Sequence, residues 1–202
     1  MLTGNDQAPG GGRHAAPLDG IRVLELGSAI AGPYVAELLY LLGADVIKIE
    51  RPDGGDPIRQ WKVDRGPLPF IQMNAGKRSI ALDLNKPEAI EVVERIIERS
   101  DVFVHNAKPG WLDKLGLGGA DCLKLNPRLV YLAISGFGGV GPLGMRPAYD
   151  SAGQAFGGLL GLLSGQNRPA TGPTLADLGT GLVAMSGVLA GLTARERTGW
   201  QV

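Results

Sequence analysis

Apolar positions along the chain fall into short unbroken runs separated by longer, spaced patterns. "IRVLEL" (21–26), "DVIKIE" (45–50), "SIALDL" (79–84) and "DVFVHN" (101–106) read as buried strands, and "RLVYLAISGFG" (128–138) contains another. Between them, "AGPYVAELLYLLGA" (31–44) has Pro33 suited to a first helical turn and Gly43 to a C-terminal cap. "NKPEAIEVVERIIERS" (85–100) is an amphipathic helix: Asn85 is a candidate cap, Pro87 sits near the first turn, and Ile90, Val93, Ile96 and Ile97 mark the buried stripe. Two short helical pieces, around 111–115 and 120–125, precede the fifth strand. Strands alternating with helices at this spacing predict an α/β fold: an open, mostly parallel sheet with helices on both faces.

From Tyr149 the character changes. "YDSAGQAFGGLLGLLSG" (149–165) and residues 176–198 read as two Gly- and Ala-rich helices, the second buried, joined by the polar loop "QNRPATGP". Residues 1–17 are rich in Gly, Pro and Ala with no apolar signal core, and read as a disordered leader before the domain of 18–202.

Composition narrows the function classes. Twenty basic and twenty acidic residues balance to a net charge of zero, which argues against nucleic acid or an anionic membrane as main partner. No segment reaches the ~18 uninterrupted apolar residues of a membrane span. The one cysteine, Cys122, excludes an internal disulfide or a cysteine-based metal cluster, reads as a semi-buried helix thiol, and fits a reducing cytoplasm.

Candidate chemistry is sparse. "ELGSAIAGP" (25–33) follows the first strand, but Gly27 and Gly32 do not make G-x-G-x-x-G, leaving only a helix N-terminus open to an anion. Arg51 and Arg59 in "IERPDGGDPIR" are placed to meet phosphates or to solvate a loop. Lys77 and Arg78 are solubilising charge or the closure of a phosphate pocket. His14, in the leader, and His105, inside a strand, have neither metal-ligand nor triad spacing, so no metal site is expected. Asp177 is the one acidic residue between Asp150 and Glu196, at the head of the last apolar helix. Two roles stay open for it: a helix cap bonding the N2 or N3 amide, or a poorly hydrated carboxylate held ionised by the helix N-terminus and usable as a nucleophile.

Taken in order, "LDGIRVLELGSAIAGPYVAELLYLLGADVIKIERPDGGDPIR", "NAGKRSIALDL", "VHNAKPGWLDKLGL", "NPRLVYLAISGFGGVGP", "RPAYDSAGQAFGGL" and "ADLGTG…RERTG" resemble the class III CoA-transferases, the formyl-CoA:oxalate and L-carnitine type. The resemblance implies a Rossmann-like large domain, here without the family's small domain, and an interlocked homodimer in the full-length form. It implies Asp177 as the nucleophile of an acyl-CoA:carboxylate CoA-transferase, working through aspartyl anhydride and aspartyl-CoA thioester intermediates, with an acyl-CoA donor and a carboxylic-acid acceptor and no metal. Coenzyme A contacts carried over from the family fall at Ile30, Ala31, Arg51, Leu82, Asp83, Leu84, Asn85, Asn106, Ala107, Lys108, Lys114, Ala148, Tyr149 and Asp150. Family members often carry an aromatic residue at Ala107 and an Arg at Lys114. The related α-methylacyl-CoA racemases have a "GHD" triplet where this chain has "AYD" (148–150), and tyrosine is a poor general base near neutral pH. A racemase-like enzyme or an inactive CoA-binding fragment are the alternatives.

Overall fold

The computed structural model describes residues 16–61, 66–164 and 174–199. Most of the expected leader with His14, the loop "QNRPATGP" and the final Trp-Gln-Val lie outside the described residues.

Five parallel strands, β1 (Arg22–Leu26), β2 (Asp45–Glu50), β3 (Arg78–Ala81), β4 (Val102–His105) and β5 (Val130–Ala133), form one sheet in the order β3-β2-β1-β4-β5. Seven α-helices occur among the described residues: α1 (Ala31–Leu41), α2 (Leu68–Asn74), α3 (Pro87–Ile97), α4 (Gly119–Leu125), α5 (Asp150–Phe156), α6 (Leu159–Ser164) and α7 (Leu175–Thr198). The chain builds outward from central β1 to β2 and β3, then returns to lay β4 on the other side of β1. That reversal opens a crevice beyond the C-terminal ends of β1 and β4, where open α/β sheets bind ligands.

The period-two alternation of each strand divides the apolar residues between two cores. On one face Val23, Val46, Val102, Val104 and Val130 meet Val35, Ala36 and Leu39 of α1 and Val188 and Leu192 of α7. On the other, Leu24, Ile49 and Phe103 meet Val93 and Ile97 of α3 and Cys122 of α4. Both faces are covered, as the sequence pattern predicts. Each fully buried Val, Leu or Ile contributes roughly 1.5–3 kcal/mol, so losing either helical layer would unmake the sheet.

Several expectations need correction. The third strand runs over Arg78–Ala81, not 79–84: Asp83 accepts bonds from the backbone and side-chain amides of Asn85, turning the chain out of the sheet. Asn85 therefore does not cap α3, whose N-cap is Lys86 with Pro87 in the first turn. The stretch read as a single helix holds two, Asp150–Phe156 and Leu159–Ser164, because Gly158 takes a left-handed φ of +78° between them. The helix Leu68–Asn74 and a 3-10 turn at Pro57–Gln60 had no clear apolar period to announce them. Cys122 is fully buried rather than semi-buried.

Helix α7 departs most from expectation. Only Gly181, Val188, Gly191, Leu192 and Arg195 of its 24 residues are buried, while Leu182 and Val183 are exposed. By length and composition it would suffice to cross a membrane. What seats it on the domain is local. Gly181 lies so close to Tyr34 that a Cβ would come within 2.6 Å of the ring. Arg195 donates to the Asp101 carboxylate at 2.7 Å and to the Arg128 carbonyl at 2.9 Å.

Candidate active site

The loops leaving β1 and β4 meet at the crevice and are tied together by one side chain. Asn106 accepts the Ser28 N–H at 2.9 Å and donates to the Ser28 carbonyl at 2.8 Å. This reciprocal pair divides the crevice into two adjoining clefts that share Ser28, Asn106, Ala107 and Lys108.

The larger cleft, about 820 Å³, lies over the ends of β1, β2 and β3. Arg51, Leu82, Asp83, Leu84 and Asn85 line it, with Trp111 across from them. Arg59 also leaves this region but is not free: its guanidinium donates to Glu50 at 2.7 and 2.6 Å and stacks on the Phe70 ring. Glu50, although burial alone would raise its carboxyl, is held down at about 2 by Arg59, the Asp56 N–H and Ser79.

The smaller cleft, about 310 Å³, brings together Ile30, Ala31, Ala148, Tyr149, Asp150 and Asp177, with Arg146 at its edge. Here the two roles left open for Asp177 separate. The cap of α7 is Thr174, whose side chain makes no capping hydrogen bond. Asp150 supplies the missing acceptor instead: its Oδ1 takes the Ala176 N–H at 2.8 Å and the Asp177 N–H at 3.1 Å. With those amides used, the Asp177 carboxylate meets no hydrogen-bond donor among the described residues. Burial, and then the charge of Asp150, push its carboxyl up to about 6. The expectation that helix amides hold Asp177 ionised is thus corrected, since the amides serve Asp150.

The remaining site residues divide cleanly. Lys114 sits exposed on the 3-10 turn Asp113–Leu115 and lines neither cleft. Lys77 is not surface charge: its Nζ is buried, donating to Glu25 at 2.8 Å, the Pro33 carbonyl at 2.7 Å and Asn74 at 3.1 Å. Arg78 pairs with Asp45 at the strand's N-terminal end, away from the crevice. His105 is buried between Phe103 and Tyr131, and burial lowers it to about 4, so it is neutral near pH 7.

Sequence reasoning overlooked Glu25, Lys48 and Asp56, which stand directly behind the first loop. Glu25 and Lys48 face each other in the β1–β2 register, and Lys48 Nζ donates to Glu25 Oε1 at 2.6 Å and to the Gly27 carbonyl at 2.8 Å. A charge flanked on both sides by apolar residues in each of two adjacent strands, Glu25 between Leu24 and Leu26 and Lys48 between Ile47 and Ile49, was the available signal.

The model of CoA-transferase family III matches residues 18–201. The chain belongs to CoA-transferase family III. Among its relatives, the succinyl-CoA:glutarate CoA-transferase of Mus musculus is 39% identical over 188 residues, covering 91% of this chain and 43% of that protein. The beta subunit of the succinyl-CoA–L-malate CoA-transferase of Chloroflexus aurantiacus is 42% identical over 189 residues, covering 91% and 47%. The crystal structure of a CAIB/BAIF family protein from Brucella suis superposes with a TM-score of 0.86 at 39% identity, over 93% of this chain and 52% of that one. The chain spans about half the length of the curated family members it matches.

Proposed function

We propose that this chain carries the coenzyme A cleft and the nucleophile of an acyl-CoA:carboxylate CoA-transferase. The observation behind this reading is Asp177: a carboxylate without a hydrogen-bond donor among the described residues, in a cleft that adjoins a larger one through Asn106–Lys108. The larger cleft offers Arg51 and Lys108 for phosphate groups and Trp111 for a planar ring. The chemistry below calls for no metal ion.

In this mechanism an Asp177 oxygen attacks the thioester carbonyl carbon; a C–O bond forms, the C–S bond breaks, and CoA leaves as thiolate. The thiolate then attacks the Asp177 carbonyl of the mixed anhydride, releasing the first acid as a carboxylate and leaving an aspartyl-CoA thioester. An acceptor carboxylate attacks that thioester and expels the thiolate, which takes the new acyl group and returns Asp177 to its free form. No proton is gained or lost overall. A carboxylate that is ionised yet sparsely solvated is a stronger nucleophile than one bound by several amides. Asp150 serves this chemistry by taking up the α7 amides. The exposed apolar side of α7 around Leu182 and Val183 offers a seat for a second copy in the homodimer that belongs to the same reading, and the cytoplasm is its proposed compartment.

Mass spectrometry after incubation with a panel of acyl-CoA donors and a hydroxylamine trap tests the reading. The expected product is a hydroxamate on Asp177, absent in Asp177→Asn. Modification at another residue, or equal modification in the variant, would refute it.

A further inference from the structure

Ala29 is the one non-glycine residue with a positive φ among the described residues, at +60°. The left-handed region is unfavourable for alanine, so the surrounding structure must hold it there. Three side chains do so. Lys48 Nζ donates to the Gly27 carbonyl at 2.8 Å, the Ser28 N–H donates to Asn106 at 2.9 Å, and the Ala29 N–H donates to Asp56 Oδ1 at 3.1 Å.

Asp56 is the junction of this arrangement. Its Oδ1 also accepts the Ile58 N–H at 3.1 Å, its Oδ2 pairs with Lys48 Nζ at 3.0 Å, and its own N–H donates to Glu50 at 3.0 Å. Below it, Glu25 is divided between Lys48 and Lys77. These groups are almost wholly removed from water: Glu25, Lys48 and Asp56 are 0%, 1% and 3% exposed.

Burying paired charges is costly, and an apolar cluster of the same volume would stabilise a core as well or better. Stability therefore does not explain two lysines and two carboxylates at this spot. An apolar cluster could not bind the Gly27 carbonyl and the Ala29 amide, whose loop walls the Asp177 cleft and reaches the larger one through Ser28.

We propose that Asp56, held by Lys48 on Glu25, is a positioning residue that locks the turn at 28–30 in its left-handed shape and thereby sets the affinity of the adjoining clefts for coenzyme A. It touches no reacting atom. The ligand half of this inference rests on the function proposed above; the half concerning the turn does not.

Hydrogen exchange of the whole chain, paired with calorimetric titration of coenzyme A, tests both halves. In Asp56→Ala the Ala29 amide should exchange about tenfold faster or more, as expected for loss of a hydrogen bond to a charged acceptor, while the β4 amides of Val102–His105 hold their rates. Coenzyme A affinity should fall at least several-fold, and Asp56→Asn, which keeps an Oδ1 acceptor, should recover much of both. Turn amides that speed up no more than those of β4 would overturn the proposal, as would an open turn with unchanged coenzyme A affinity. If the wild-type chain itself does not bind coenzyme A, the functional reading and the ligand half fall together, and the exchange rates alone decide the turn. Should Asp56→Ala not fold, Asp56→Glu carries the same test, because it keeps the charge but displaces the carboxylate by one methylene; native exchange at Ala29 in that variant would count against the lock.

Discussion

Two pairs of carboxylates stand on opposite sides of the turn at 28–30 and live in contrasting company. Glu25 and Asp56, behind it, share Lys48, with Lys77 on the far oxygen of Glu25. Asp150 and Asp177, in front of it, have no lysine or arginine in an ion pair among the described residues, and Asp177 is raised to about 6 by burial and by its neighbour. The functional group is the same and burial acts on both pairs, yet the consequences are opposite. Where cations compensate the burial, the carboxylate becomes scaffold. Where only amide donors are on hand and Asp150 takes them, Asp177 is left without a donor among the described residues. On the proposed function, the contrast means that a functional carboxylate is recognised less by its own burial than by what its neighbours have already claimed.

Removing the compensation should have the largest effect. Lys48→Met leaves Asp56 buried without its cation and Glu25 with only Lys77, and should destabilise the chain by about 3–5 kcal/mol, measured by urea unfolding. A loss below about 1 kcal/mol would erase the distinction between the two pairs.

The front pair should respond in the opposite direction. Asp177 titrates near 6 in the folded chain against an ordinary 3.8, so the folded state binds its proton more tightly than the unfolded state does. Its contribution to stability is therefore greatest below about 3.8, declines as the pH rises through about 6, and is flat above. Asp177→Asn should then stabilise the fold above pH 6 by about 1–2 kcal/mol, the full shift being discounted for partial solvent contact. Thermal melts at pH 4 and pH 7 check the sign: a variant less stable than wild type at pH 7 would show the front pair to be scaffold too.

A third pair calibrates the scale. Arg78 and Asp45 meet at the exposed end of the sheet, where an ion pair is solvated from all sides. Arg78→Ala should cost at most about 1 kcal/mol, falling further in high salt.

The parallel sheet was legible in the chain because its strands are short apolar runs alternating with helical patterns, and that order admits few other folds. Asp177 was legible as unusual because it is a lone charge heading an apolar run. Its surroundings were not. Nothing in the spacing of Asp150 and Asp177, 27 residues apart, announces that one carboxylate caps the helix carrying the other. Lys77, read as solubilising charge or the closure of a phosphate pocket, does neither: it stands just before β3, and only the three-dimensional fold brings its amine to Glu25, Pro33 and Asn74. The long run of α7 was misjudged as buried for a related reason: small and apolar residues are compatible with a core, but which ones find a partner depends on how much of the helix α1 and β5 can cover.

That sparse covering of α7 bears on the order in which parts of the molecule come and go. The sheet is complete at Ala133, whereas Asp177 is delivered by a helix docked through Gly181, Val188, Gly191, Leu192 and Arg195. A unit with so few buried side chains is the first to detach in native-state fluctuations. Each such excursion would carry Asp177 away from the smaller cleft and break the two bonds that its helix amides make to Asp150. On the function proposed above, the lifetime of the docked helix sets how often Asp177 stands beside a bound ligand.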